Sequence, residues 1–261
     1  MSAPSSGTFT PRPGGAPLAR QVLAQARMEA RLMLRNGEQL LLAVVIPVIV
    51  LVGAVAGSER VGLELDGRPV DVFTPGVLAL AVMSTAFTSL AIATGFERRY
   101  GVIKRLGSSP LPRTGLLAGK VLALLLVELL QLVVVGGVAL LLGWSPEAAP
   151  AALGGAVATA ALGTAAFAAL GLFVAGVLRA EATLAAANLV YLLLMAGGAV
   201  VLPATAYGGF GEVVRWLPSG ALGGGMRSAL IDGQVALLPL AVLAGWAALG
   251  TVLTARTFKW E

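Results

Sequence analysis

An all-α membrane protein with six transmembrane helices is the fold this sequence predicts, and three observations carry the prediction. Apolar residues make up 57% of its 261 residues and charged residues only 12%, against about 25% charged in an ordinary soluble domain. The apolar residues fall into six long runs, each near the roughly 20 residues that a bilayer crossing needs. Basic residues gather beside alternate ends of those runs, as the positive-inside rule requires.

The elements follow in chain order. Residues 1–17 (MSAPSSGTFTPRPGGAP) are rich in Ser, Pro and Gly and predict a disordered cytoplasmic tail. The first long apolar run starts only near Gln39, too late and too long for the apolar part of a cleaved signal. Between them, residues 18–36 form an amphipathic pattern at 100° per residue. Leu18, Val22, Ala26 and Met33 fall on one side, with Arg20, Arg27, Arg31 and Arg35 opposite. A helix with such a basic face suits the cytoplasmic membrane interface, and packing on a soluble partner is the other use for it.

Residues 37–261 read as a single six-span domain. The candidate spans are Gln39–Gly57, Val72–Gly95, Leu116–Gly143, Ala151–Leu178, Ala182–Leu202 and Val235–Ala255. The fourth is mainly Ala and Gly, and the absence of any charge marks it as a span. Its Gly155, Thr159, Gly163, Gly171 and Ala175 lie on a four-residue ridge interrupted by Phe167, a surface for close helix packing. Pro47 in the first span is placed to kink it and free a carbonyl.

Loop charges set the orientation. The N-terminal segment and the loop after span two are strongly basic, so both belong in the cytoplasm. The loop between spans one and two carries Glu59, Glu64, Asp66 and Asp71 against Arg60 and Arg68, and the turn at 144–150 carries Glu147 alone. Both suit the outer side. Arg256 and Lys259 return the C-terminus inside, so both termini are cytoplasmic. The segment 207–234 is too polar and Gly-rich to span. It predicts two short amphipathic helices, broken near Pro218–Gly225, that dip into the outer interface as a re-entrant hairpin with Trp216 as an interfacial aromatic. Arginine outnumbers lysine fifteen to three, and Ala and Gly abound. That composition suggests a GC-rich bacterial genome, hence a bacterial plasma membrane.

Composition also excludes function classes. With no cysteine and no histidine, the chain lacks thiolate chemistry, disulfides and the commonest acid/base and metal-ligating side chain. An intramembrane enzyme is therefore a poor reading, and no metal set or bound cofactor is expected. The net charge of +5 is explained by membrane-flanking positions beside anionic lipid, without a nucleic-acid partner.

The most informative stretch is Phe96–Lys120, FERRYGVIKRLGSSPLPRTGLLAGK, with a coupling loop at 96–115. Arg98, Arg99, Lys104, Arg105, Arg113 and Lys120 are a third of the chain's basic residues, and Glu97 is the only acid in the stretch. Phe96, Tyr100, Ile103 and Leu106 recur at steps of four, three and three, which predicts one apolar stripe on a surface-lying helix. The Gly107-Ser108-Ser109-Pro110 sequence ends it. Such a helix can anchor topology alone, or dock its outer side in a partner's groove.

The same stretch resembles the central signature of ABC-2 type transporter permeases. The resemblance rests on Glu97-Arg98, Gly101, Leu106, Pro110-Leu111-Pro112-Arg113 and Gly119-Lys120 in that order, and on Phe73-Thr74-Pro75-Gly76 opening span two. The amphipathic N-terminal helix, the six spans and the segment before span six extend it from about residue 18 onward. Daunorubicin-resistance-type drug exporters are nearest in character, and polysaccharide exporters share the architecture. The resemblance implies a transmembrane half that dimerises, with itself or with a related permease. It also implies a separate nucleotide-binding subunit that carries ATP and Mg. The coupling element would comprise Phe96, Glu97, Arg98, Arg99, Tyr100, Gly101, Ile103, Lys104, Arg105 and Leu106. Consistent with that division, Gly115–Lys120 is not a P-loop: it has three residues between its glycines and no Ser or Thr after the lysine. Lys120 reads instead as a snorkelling residue at the start of span three.

Four polar residues within the spans are candidates for a substrate path. Glu128 lies eight residues beyond Lys120, about 12 Å deeper along the helix, and ionisable groups at such depth default to functional hypotheses. Gln131 sits one turn on and could bond it. Asn188 and Tyr191 are one turn apart in span five. Each equally suits hydrogen bonding between helices. Only 6% of residues are aromatic, which suits lipophilic or amphiphilic cargo better than a long glycan. The alternatives from other classes are a glycan exporter and a non-transporting scaffold or channel subunit.

Overall fold

The computed structural model describes residues 16–37, 41–61, 67–107 and 111–257. The predicted tail, up to residue 15, lies outside the described residues, as do 62–66 in the loop between spans one and two. Among the described residues the chain is helical and has no strand. Five helices are long and apolar enough to cross a membrane: Pro69–Arg99, Thr114–Leu141, Pro150–Val177, Ala180–Gly197 and Leu237–Thr257. A shorter apolar helix, Ala43–Ser58, supplies the first of the six predicted spans. An amphipathic helix, Leu18–Arg35, precedes them.

Span two is the axis of the bundle. Of its most apolar window, 89% is buried, and it packs against spans one, three, four and five and against the helix Pro218–Leu230. Its composition explains that position. Thr74, Ser84, Thr85, Thr88, Ser89 and Thr94 are all buried, and a helix with small and hydroxyl side chains on every face belongs inside a bundle rather than against lipid. Halfway along, the helix widens into a π turn, Ser84–Ser89. It is also longer than the predicted Val72–Gly95, since helical geometry continues to Arg99.

Span one also starts in a π turn, Leu41–Val45, and Pro47 lies two residues beyond it. Proline has no N–H for the carbonyl four residues earlier, which is that of Ala43. Gln131 of span three meets this carbonyl with its side-chain amide, Nε2 to O at 2.5 Å. The carbonyl that Pro47 was expected to free is thus identified, together with its donor.

The predicted ridge on span four is a packing surface along its whole length. Gly155, Thr159, Gly163, Gly171 and Ala175 are buried, and so is Phe167. That ring does not break the ridge: it meets Phe87 of span two edge-on, with centroids 6.2 Å apart. Span six lies along the other flank of span four, where Thr254 Oγ1 donates to the Ala169 carbonyl at 2.9 Å.

Two expectations near the far end need correction. Span five was predicted to reach Leu202, but its helix stops at Gly197. Residues 198–202 form bends, and Ala199 has φ 53°. The segment after it was predicted to break near Pro218–Gly225 and to lie in the interface. Instead Pro218 opens a continuous helix to Leu230 that is buried along most of its length. Proline at the first helical position is favourable because its missing N–H has no acceptor there. Glycine lets this helix reach the backbone of the unwound stretch: a Cβ on Gly223 would sit 2.6 Å from the Val200 carbonyl oxygen. Arg227 closes the contact, donating from Nη2 to the Val200 and Val201 carbonyls at 2.7 Å each and from Nη1 to Ala199 at 3.4 Å. Ser219 Oγ donates to the Gly198 carbonyl at 2.8 Å. Trp216 is exposed, and its carbonyl accepts from Trp246 Nε1 at 2.9 Å.

Gly76 of span two meets the same unwound stretch. A Cβ there would lie 2.5 Å from the Val201 oxygen and 2.6 Å from that of Val200, both backbone atoms that cannot step aside. Gly76→Ala is therefore expected to destabilise the protein by about 1–3 kcal/mol, the usual cost of overpacking. Gly224→Ala, where a Cβ has open space, is expected to be neutral or to stabilise by up to about 1 kcal/mol. Thermal unfolding in detergent distinguishes the two, and equal melting temperatures would contradict the packing described.

Candidate coupling site

The last turns of span two carry Phe96, Glu97, Arg98 and Arg99, and the chain then turns at Tyr100 and Gly101. Gly101 has φ 65°, the left-handed region that glycine enters without steric cost. A second helix, Val102–Gly107, follows. The single surface-lying helix Phe96–Leu106 is therefore not present. Its first part is the end of span two, and Gly101 redirects the rest. The predicted stripe is divided accordingly: Phe96 and Tyr100 stack with centroids 6.2 Å apart before the break, while Leu106 is half-buried beyond it. The side chain of Ile103 lies outside the described residues.

Glu97 faces into the bundle. Lys120 Nζ donates to both its carboxylate oxygens, at 2.6 and 2.8 Å. The same ammonium lies 3.5 Å from Glu29 Oε1 of the N-terminal helix, and Gln25 Nε2 donates to that oxygen at 2.9 Å. Side-chain exposure is 19% for Lys120 and Glu97 and 11% for Glu29. Lys120 is thus not a snorkelling residue: it is the shared cation of two carboxylates from two other elements. The glycines beside it make room for this arrangement. A Cβ on Gly119 would lie 2.7 Å from Gln25 Cγ, and Gly115 is equally closed by Leu111. Sequence reasoning passed over Glu29, although a signal existed. It falls on the same helical face as Val22, Ala26 and Met33, and an acid on an apolar face needs a cation from elsewhere.

Arg98 and Arg99 also turn back to the bundle. Arg98 donates to the Ala175 carbonyl and, at 3.5 Å, to that of Leu178, both at the end of span four. A cation there complements the negative end of the helix dipole. Arg99 forms an ion pair with Glu181 at the start of span five and lies over the Tyr100 ring, 5.8 Å from its centroid. The outward residues are Tyr100, at 63% exposure, and the exposed Lys104 and Arg105. Gly101 is half-buried. Of the ten predicted coupling residues, the structure therefore divides those that root the loop from those that present it.

The four candidate path residues are packed between helices. Glu128 is 4% exposed and accepts a hydrogen bond on Oε2 from Thr164 Oγ1 of span four at 2.8 Å. Gln131 does not bond Glu128. It is fully buried and accepts from Thr85 Oγ1 in the π turn of span two at 2.8 Å while donating to Ala43. Tyr191 is buried and Asn188 half-buried on span five. The π turn thus engages span three through Thr85, and span five packs on it.

A family model described as ABC-2 family transporter protein matches residues 67–256. The chain belongs to this family. No curated protein gives a significant match. As an ABC-2 family member it is a multi-pass membrane permease, the transmembrane component of an ABC transporter. The stretch matched to the ABC-2 family contains Glu97 and Lys120 but not the helix that carries Glu29.

The two carboxylates make the cluster asymmetric. Lys120→Met leaves Glu29 and Glu97 facing each other in a half-dry site, and is expected to cost about 2 kcal/mol of stability. Glu97→Gln leaves Lys120 with Glu29, and is expected to cost about half as much. Melting temperatures in detergent should rank wild type above Glu97→Gln and Glu97→Gln above Lys120→Met. A Lys120→Met protein as stable as wild type would mean that the ion pairs contribute nothing.

Proposed function

We propose that this chain is the permease half of an ATP-driven exporter and that its loop receives force from a separate ATPase. Two permease copies, identical or related, pair with two nucleotide-binding subunits that hold ATP and Mg, while this chain binds no cofactor itself. It sits in a bacterial plasma membrane with both termini in the cytoplasm and exports lipophilic or amphiphilic compounds, drugs among them. The observation that carries the reading is the division of labour within 96–107. Tyr100, Lys104 and Arg105 are exposed, whereas Glu97, Arg98 and the exposed Arg99 tie the same segment to spans three, four and five. An exposed aromatic flanked by cations suits docking in a partner's groove. A loop rooted in three spans passes displacement to the bundle instead of flexing.

In this reading the ATPase subunits close on ATP and push the loop, and span two carries the push into the bundle. Substrate access switches only if substrate and nucleotide favour different states. Scarce aromatic residues support amphiphilic cargo over a long glycan, which would want rings along its path.

The outward residues provide the cleanest test, because they leave the ties of Glu97, Arg98 and Arg99 to spans three, four and five in place. Tyr100→Ala and Lys104→Glu are each expected to weaken association with the ATPase by roughly tenfold, a loss of about 1.4 kcal/mol. Lys104→Glu should leave the melting temperature of the isolated permease unchanged, whereas Tyr100→Ala, which also removes the Phe96 stack and the Arg99 contact, is expected to lower it slightly. Co-purification with the ATPase and stimulation of its activity measure the effect. Wild-type transport by the Lys104→Glu/Tyr100→Ala double variant would overturn the coupling assignment.

A further inference from the structure

At the loop end of the bundle an open cavity of about 440 Å³ lies between the end of span two and the short turn joining spans four and five. Three arginines line it, Arg98, Arg99 and Arg179, against one acid, Glu181. Arg179 plays no part in the coupling contacts described above. It is exposed and sits at the N-cap position of span five. No side chain caps that helix, so its first backbone N–H groups, which have no acceptor within the helix, add positive potential to the same space. Arg98 removes the opposing term. By donating to the Ala175 and Leu178 carbonyls, it covers the negative end of span four that would otherwise face the cavity. One helix N-terminus and three arginines, against the single Glu181, therefore favour an anion.

The cavity's other wall is apolar. Val177 and Leu178 end span four, and Val177 is 55% exposed. A ligand that fills the site carries negative charge at one end and hydrocarbon at the other. We propose that this cavity binds the phosphate headgroup of an anionic phospholipid, with an acyl chain running along the end of span four. Basic pockets between transmembrane helices at the membrane surface hold such headgroups. Arg99 makes the site responsive, because its ion pair with Glu181 and a lipid phosphate compete for one guanidinium. Lipid occupancy therefore bears directly on the residue that joins span two to span five. The inference does not depend on an ATPase partner, and orientation decides only which leaflet supplies the lipid.

Full-length protein in nanodiscs of mixed phosphatidylglycerol and phosphatidylcholine tests this, with the lipids retained after gentle extraction counted by native mass spectrometry. Wild type is expected to retain phosphatidylglycerol in preference. Arg179→Gln should retain about fivefold less, the effect of one arginine at an anionic surface. Glu181→Gln, which frees Arg99 from its carboxylate, should retain more. Arg215→Gln at the opposite end should match wild type. The gain expected for Glu181→Gln keeps the test sound if Arg179→Gln folds poorly. Equal retention of the two lipids by wild type, or wild-type retention by Arg179→Gln, overturns the proposal. Displacement of the lipid by inorganic phosphate would make the site one for a soluble anion and would also overturn it. So would an Arg179→Gln protein that keeps its lipid but loses the ATPase, since the cavity would then be a protein contact.

Discussion

Every carbonyl released from a helix in this bundle must find a donor inside the protein, and that requirement shapes the structure more than any single contact. In hydrocarbon an unpartnered backbone group costs several kcal/mol. Pro47 withholds its N–H from Ala43, and Gln131 of span three supplies one. Span five unwinds after Gly197, and Arg227 and Ser219 donate to Gly198, Ala199, Val200 and Val201. Span four ends at Val177, and Arg98 donates to its last carbonyls. In each case the donor comes from another element. Irregular backbone is thereby turned into tertiary structure, because each break in one helix fixes the position of a second.

The same requirement accounts for much of the polarity that stands out in an apolar sequence. Gln131 and Arg98 both invite a functional reading from sequence, as a path residue and a docking residue. In the structure each is committed to backbone or side-chain partners on other helices. Residues that point outward from the loop, Tyr100 and Lys104, are chemically less unusual but better placed to meet a partner. Position in the bundle, not rarity in the sequence, separates the two groups.

What the sequence discloses follows from how local each signal is. Six apolar runs, the amphipathic helix at Leu18–Arg35 and the small-residue ridge of span four are periodic patterns within one element, so they are legible without a fold. Ends of elements are less so, because Gly197, Gly101 and Pro218 can each stop, redirect or start a helix depending on what packs beside them. The π turns of spans one and two leave no clear local mark beyond Pro47. The cluster of Glu29, Glu97 and Lys120 is the least legible feature, since it joins residues of three elements. Its only local trace is a carboxylate on an apolar helix face and a lysine deeper than an interface residue should be.

Span two joins these features into one mechanical element. Its loop end is rooted by Glu97, Arg98 and Arg99 to spans three, four and five, and its opposite end meets the unwound stretch at Gly76. Between the ends it is buried by neighbours on all sides, so it cannot tilt far as a rigid rod without disturbing them. A packed interior does not deform smoothly. Under the proposed coupling, a displacement at the loop would be absorbed where the helix is least regular, at Ser84–Ser89. π segments have weaker internal hydrogen bonding and recur at functional sites. The side chains of that turn are also its links to the rest of the bundle, with Thr85 bonded to Gln131 and Gln131 in turn to span one. A change of pitch there would move spans one and three together with the loop half of span two, while Gly76 would keep the far half seated on the Arg227-capped stretch.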